Sequence, residues 1–378
     1  MLDGPASVIG SIAANVAGQS YFPLEVEYAD MEPNRRALLK LAGATATVAT
    51  LGSAGYVAVD AQETNDDGVN NDSANDDREN NGAEVTGELP AYSHWLTLDD
   101  GLEFTAVDWV ALQEYVEGEL EEAAADEDVP EEFAADPMIV LPSEGLLSVY
   151  FYVAFSLAPY RLGRLLEEGA LATSVEGLLL ANDVFVATGT IETDELDERL
   201  TADPGNGFFR QLERTAEVDG YDVYTPVEAE SVTSVAVSSD AIVVAGARGE
   251  AVTTVEEAIS QIETTIAAAA GDVERATDES EMVAWLVETA GHGDVVVGQF
   301  GERLDADTEF PALENAEGLV SSLSVVDEQT SEGEFAAEVV GEPDAAALEG
   351  VLGASADEQS VTVDGNRVSA TATWREVE

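Results

Sequence analysis

From Gly145 to Tyr160 the chain reads GLLSVYFYVAFSLAPY without one charged residue, in a protein where acids are otherwise frequent. Such a run must enter a bilayer or be covered by the rest of the fold, because each Å² of apolar surface left in water costs about 25 cal/mol. A membrane span needs about 20 strongly apolar residues. Here Pro159 interrupts the run, and Arg161 and Arg164 close it before Leu166. The reading is therefore a core segment, a buried helix or a pair of strands, and not a membrane dip. Tyr150, Phe151, Tyr152 and Phe155 favour extended structure.

The residues that must cover this run repel one another. The chain has 78 acidic and 14 basic residues, a formal net charge of -64, and Lys40 is its one lysine. Charges this dense act over about 10 Å at 0.1 M salt and only about 3 Å at molar salt, so the composition expects brine. It also restricts partners. No basic patch exists to neutralise phosphates, which excludes a direct nucleic-acid binder, and an anionic membrane surface repels the body. With no cysteine, disulfides, thiolate nucleophiles and cysteine-held metals are absent, so stability must come from packing. Acid excess, scarce lysine and abundant Ala, Val, Thr and Gly resemble the proteins of extremely halophilic archaea, a likeness of composition over the whole chain.

Residues 31–61 supply an address. Arg35, Arg36 and Lys40 precede a segment without charge from Leu41 to Val59, the layout of a signal peptide. Arg35-Arg36 followed by Leu38, Leu39 and Lys40 resembles the twin-arginine motif, with Asn34 where Ser or Thr usually stands. The resemblance implies recognition through Arg35, Arg36 and Lys40, the twin-arginine export machinery as partner, and folding before export. Val59 and Ala61 place small residues for cleavage before Gln62. An uncleaved signal is the one expected membrane contact. Met31 lies four residues before Arg35, so residues 1–30 read as an upstream extension. Removing six acids and three basic residues ahead of Gln62 leaves 72 acids and 11 basic residues, a net charge of 11 - 72 = -61.

Residues 62–88 are rich in Asn, Asp and Gly and read as a disordered acidic linker. Their spacing does not place the Gly and Glu of a calcium-binding loop in register. Beyond the linker, Leu102–Trp109 reads as a strand, with Asp108 capping a helix that carries Leu112, Tyr115, Val116 and Leu120 on one face. The acid runs 117–122 and 126–132 read as solvated surface. Asp183–Ile191 is a strand, and a helical region from Asp194 breaks at 203–207 and resumes to about Val218. Tyr221–Tyr224, Val232–Val237 and Ala241–Ala245 are strands. Val252, Val255, Ile259, Ile262 and Ile266 mark an amphipathic helix that Thr253 and Glu256 box and Gly271 ends. Met282–Thr289 reads helical, Val295–Phe300 as a strand, and Leu319–Val326 with Phe335–Val340 as a hairpin. A short helix at 344–352 and a hairpin at 360–373 turning at 364–366 complete the chain. Strand, helix and paired strands thus occur twice. The expected class is α+β: two ferredoxin-like or related helix-on-antiparallel-sheet units at 89–275 and 276–378, as from a duplication.

Chemistry is thinly signed. There are two histidines, His94 and His292. His292 sits in AGHGD two residues before Asp294, so His292 and Asp294 are the candidate catalytic pair. No G-x-S-x-G elbow accompanies them, nor any H-E-x-x-H, P-loop or G-x-G-x-x-G. With 78 acids, no pair of carboxylates is diagnostic of glycoside hydrolysis. No metal or cofactor is expected. The favoured function is a non-catalytic binding or structural module, exported and either extracellular or tethered to the outer face of the cell membrane. In this it resembles exported haloarchaeal proteins of uncharacterised function that carry a twin-arginine signal, an acidic linker and an α+β body. The alternative is a secreted hydrolase using His292 with acidic residues.

Overall fold

The computed structural model describes residues 89–99, 101–113, 135–205, 207–228, 231–247, 252–301, 310–313, 315–327 and 330–375. The upstream extension, the signal with Arg35, Arg36 and Lys40, the linker, both acid runs, and Tyr115, Val116 and Leu120 lie outside them.

The class is α+β. In chain order the strands are β1 (Gly101–Asp108), β2 (Ser174–Ala181), β3 (Val184–Thr190), β4 (Leu212–Val218), β5 (Tyr221–Pro226), β6 (Ser234–Val237), β7 (Ala241–Ala245), β8 (Val295–Gly301), β9 (Ala316–Asp327), β10 (Thr330–Val339), β11 (Glu358–Asp364) and β12 (Arg367–Arg375). They form one twelve-stranded sheet in the order β11-β12-β10-β9-β8-β1-β2-β3-β7-β6-β5-β4. Every neighbouring pair is antiparallel. The seam is β1 against β8, from Gly101 opposite Gly301 to Val107 opposite Val295. On each side of it the strand order is alike: three strands lead out from the seam (β1-β2-β3, or β8-β9-β10), and a later strand (β7, or β12) pairs with the third. The connections differ, because a helix at Pro137–Phe151 separates β1 from β2, and three strands precede β7 after its helix where one precedes β12.

The apolar run is a helix. α1 spans Pro137–Phe151 and continues through a wider π turn at Tyr152–Ser156. Its aromatic residues favour extended structure, but ten of the fifteen positions of α1 are buried, among them Met138, Ile139, Leu146 and Val149, and the other five are half-buried. With no exposed position in α1, the period by which a helix is read is lost. With the π turn it makes 20 residues, long and apolar enough to cross a membrane by length and composition, yet it lies along the sheet. Its first turn packs with Phe335 and Trp374 in one apolar cluster. Gly145 then sits against Thr105 and Val297 at the seam, where an added methyl would overlap both. Beyond it Tyr152 stacks on Phe185 of β3 with ring centroids 5.2 Å apart. One helix therefore spans both halves of the sheet.

The other helices complete two layers. α2 (Thr193–Thr201) joins α1 on its face through Leu196 and Leu200. α3 (Val255–Ala270) buries Ala258, Ile262 and Ile266 against Val243 and Ala245 on the opposite face. Its capping box is Thr254 with Glu257, one residue later than the spacing predicts, and Gly271 ends it at φ 79. The short α4 (Ala276–Glu279) and α5 (Glu281–Ala290) follow on that face. α6 (Ala345–Glu349) covers the α1 face near β12. Two further readings are corrected. Residues 212–218 are β4, paired with β5, and not a resumed helix; and 174–181 form β2, a strand that no period of two announces.

Candidate functional site

The two histidine-bearing turns meet near the seam. His94 is exposed in a 3-10 turn at Ala91–Trp95, and Tyr92 of that turn donates its hydroxyl to the Gly291 carbonyl at 3.0 Å. His292 follows directly and is also exposed. Residues distant in sequence are thus brought to one end of α5, but among the described residues no group of His, Asp and Glu could hold a metal ion.

Asp294 is engaged in holding strands. Its carbonyl accepts the Asp108 N–H at 2.8 Å, and its carboxylate Oδ2 accepts the Val325 N–H at 2.8 Å. The carboxylate therefore fastens the end of β9, while the Asp108 side chain caps the turn at 109–113 through the Ala111 N–H at 3.1 Å. Burial pushes the Asp294 carboxyl up to about 6; the Val325 hydrogen bond opposes that shift, and the nearby Asp108 charge adds to it.

The acid that senses His292 is Glu334 of β10. Burial raises its pKa, the His292 charge lowers it, and Glu332 raises it further. The middle of α5 carries Trp285, whose ring lies under the Arg367 guanidinium, 4.6 Å from ring centroid to Cζ. Arg367 reaches Glu338 at 3.2 Å. Along the neighbouring strands the register aligns Glu334 with Thr371 and Ala336 with Ser369, then Thr371 with Ser360 and Ser369 with Thr362. Thr371, Ser360 and Thr362 are exposed. The arrangement is an open polar strip of sheet beside α5, able to offer hydroxyls, carboxylates and one guanidinium to a ligand.

A second constellation escaped sequence reasoning. Asp136, fully buried, caps α1 by accepting the Met138 N–H at 3.1 Å. It also accepts the Gly353 N–H at 3.1 Å, the Ser355 N–H at 3.2 Å and the Ser355 hydroxyl at 2.7 Å. Trp374 Nε1 donates to the same Ser355 oxygen at 2.9 Å. Burial raises the Asp136 pKa against the pull of these hydrogen bonds. The one available signal was Asp136-Pro137, an N-cap residue followed by proline at the first helical position. Arg161, at φ 63, similarly gathers loops: it donates to the carbonyls of Arg199, Arg210 and Asp203 and lies over Phe209.

No protein-family model and no curated protein matches the chain. Among solved structures it is similar to crystal form I of TP0453, with a TM-score of 0.39 and 8% identity over 76% of this chain and 94% of that one.

Proposed function

We propose that this chain is an exported protein of a halophilic archaeon whose body is a non-catalytic binding or structural module, extracellular or tethered to the outer face of the cell membrane. The observation that carries the non-catalytic reading is the use of Asp294: its carboxylate is turned to the Val325 N–H, so the sequence partner of His292 is committed to holding a strand. The open strip beside α5 is the surface such a module would use. Arg35, Arg36 and Lys40 ahead of an uncharged segment support export, and the acid excess supports brine.

The test is mass spectrometry of the protein's N-terminus, recovered separately from medium and membranes at high salt. A start near Gln62 in the medium fits a released protein. A chain retaining Arg35 and Arg36 in the membranes fits a tethered one. Replacing both arginines by lysine should hold the protein inside the cell; equal export of that variant would defeat the twin-arginine reading. Peptides from residues 1–30 in the intact precursor would defeat a start at Met31.

The hydrolase reading rests on the exposed His292 and on Glu334, whose carboxyl burial raises and the His292 charge lowers. It predicts a turnover, found by substrate screening, that His292→Ala abolishes without unfolding the chain.

For the fold, the like strand order on the two sides of the seam supports duplication of one helix-on-sheet unit, ferredoxin-like or related. Superposing β1-β2-β3-β7 and its helix on β8-β9-β10-β12 and its helix tests this. Helices that fall on opposite faces after superposition would reject it.

A further inference from the structure

The sheet ends in two edges that differ in construction. β4 has a register break between Arg214 and Ala216. It carries Glu213, Arg214 and Glu217 on its exposed length, with Arg214 bridged to both Glu217 and Asp222. A bulge and charges are the devices that keep an edge from pairing with another chain. β11 lacks both over its middle. Gln359 to Val363 reads QSVTV, uncharged, with three β-branched residues; its register with β12 is unbroken from Glu358 to Asp364, and its residues are exposed or half-buried.

The turn fixes which groups are free. Gly365 at φ 64 is the first central residue of a two-residue hairpin closed by Asp364 and Arg367. A closing pair of this type is hydrogen-bonded, and bonding alternates from there. Residues 358, 360, 362 and 364 therefore bond to β12, while the N–H and C=O groups of Gln359, Val361 and Val363 point away from the sheet.

We propose that β11 pairs antiparallel with β11 of a second copy of this chain, across a two-fold axis at Val361. The register is self-complementary. Val361 meets the partner's Val361, and Gln359 meets the partner's Val363, each with a reciprocal pair of backbone hydrogen bonds. On the opposite face Ser360 meets the partner's Thr362, a hydroxyl pair of the kind that stabilises strand contacts. At the ends Glu358 faces the partner's Asp364, and like charges directly opposite oppose pairing. Glu358 already holds Arg375 at 2.8 Å, and molar salt shortens the reach of such repulsion to about 3 Å. The dimer therefore strengthens with salt.

Sedimentation of the full chain in molar KCl over a range of concentrations tests this. The expected result is a dimer whose fraction falls as salt is lowered within the range where circular dichroism is unchanged. Val361→Pro removes an outward N–H without touching the bonds to β12, and should give a folded monomer. Because the chain has no cysteine, Val361→Cys gives a clean second measurement that does not depend on that variant folding. It should cross-link into a covalent dimer, whereas Glu213→Cys on β4 should not. A wild-type chain that is monomeric at every concentration, a dimer that survives Val361→Pro, or cross-linking through Glu213→Cys alone would each overturn the proposal.

Discussion

The two halves of the sheet solve burial differently. Around β3, β6 and β7 both faces are covered. Phe185, Val235, Ile242 and Val244 lie under α1 and α2, while Val186, Ala236, Val243 and Ala245 lie under α3. Around β10 and β12 one face is covered, with Phe335, Val368, Ala370, Ala372 and Trp374 beneath α1 and α6. The other face passes from Val320 and Ala336 at α5 to the exposed Thr371. A strand covered on both faces supplies stability and leaves nothing to present. A strand covered on one face gives up part of that burial and keeps a row of side chains available. In this molecule the candidate binding strip and the candidate dimer edge both belong to the half with the open face.

The sharpest way to break this comparison is to truncate one side chain in each half. Phe185→Ala removes a fully buried ring that stacks on Tyr152, and should cost about 3–5 kcal/mol. Thr371→Ala on the open strip should stay within about 0.5 kcal/mol. Thermal or denaturant unfolding at high salt measures both, and equal losses would mean that the open strip is covered in solution. Next comes the anchor where α1 enters the second half. Asp136→Ala leaves the buried N–H groups of Met138 and Gly353 without their acceptor, and should cost about 3 kcal/mol. Ser355→Ala, which keeps the carboxylate, should cost about 1 kcal/mol. If the two variants lose the same stability, Asp136 is not the hub of that network.

The same contrast decided how much of the fold was legible. β12 alternates buried and half-exposed residues over RVSATATWR, and the hairpin it forms was read from period and turn. β2 does not alternate. Leu178 and Leu180 face one cluster and Leu179 the other, so SVEGLLLA shows no period of two. β4 failed for the opposite reason: five of its seven residues are exposed, and LERTAEV shows no buried face. Both strands were nonetheless announced by their turns. Asn182 and Asp183 have φ 44 and 70, and Asp219 and Gly220 have φ 47 and 85, the two positive dihedrals of a type I′ hairpin. Weighing Asn-Asp and Asp-Gly above periodicity would have found both. At the site, AGHGD correctly marked a loop before a strand. Sequence proximity could not show that Asp294 turns to Val325 while Glu334, 42 residues beyond His292, lies within its electrostatic reach.

The seam between the halves should show itself in pH. Asp294 ties β8 to β9 with its carboxyl raised to about 6. A group that holds its proton more tightly when folded favours the folded state most at low pH, below its unfolded value near 4, and that contribution is lost as pH rises toward 6. A shift of this size corresponds to at most about 3 kcal/mol, and partial exposure reduces it to about 2. Stability of the wild-type chain should therefore decline between about pH 4 and 6. Asp294→Asn keeps an acceptor for Val325 and should flatten that limb; an unchanged slope would place the titration elsewhere.

The smallest effect probes whether the 3-10 turn is pinned at the seam by its hydroxyl or by its ring. Tyr92 donates to Gly291 and lies 5.5 Å from Phe104, centroid to centroid, so it has both kinds of hold. Tyr92→Phe removes the first and keeps the second, and should cost about 1 kcal/mol; Tyr92→Ala removes both and should cost about 3 kcal/mol or more. Hydrogen exchange at Ala276 reports the outcome locally, because its N–H bonds the Leu96 carbonyl just after the turn. Faster exchange in Tyr92→Phe would assign the pinning to the hydroxyl. Exchange that quickens only in Tyr92→Ala would assign it to the aromatic contact, and the His94 and His292 turns would then be held together by packing shared with the covered face of β1.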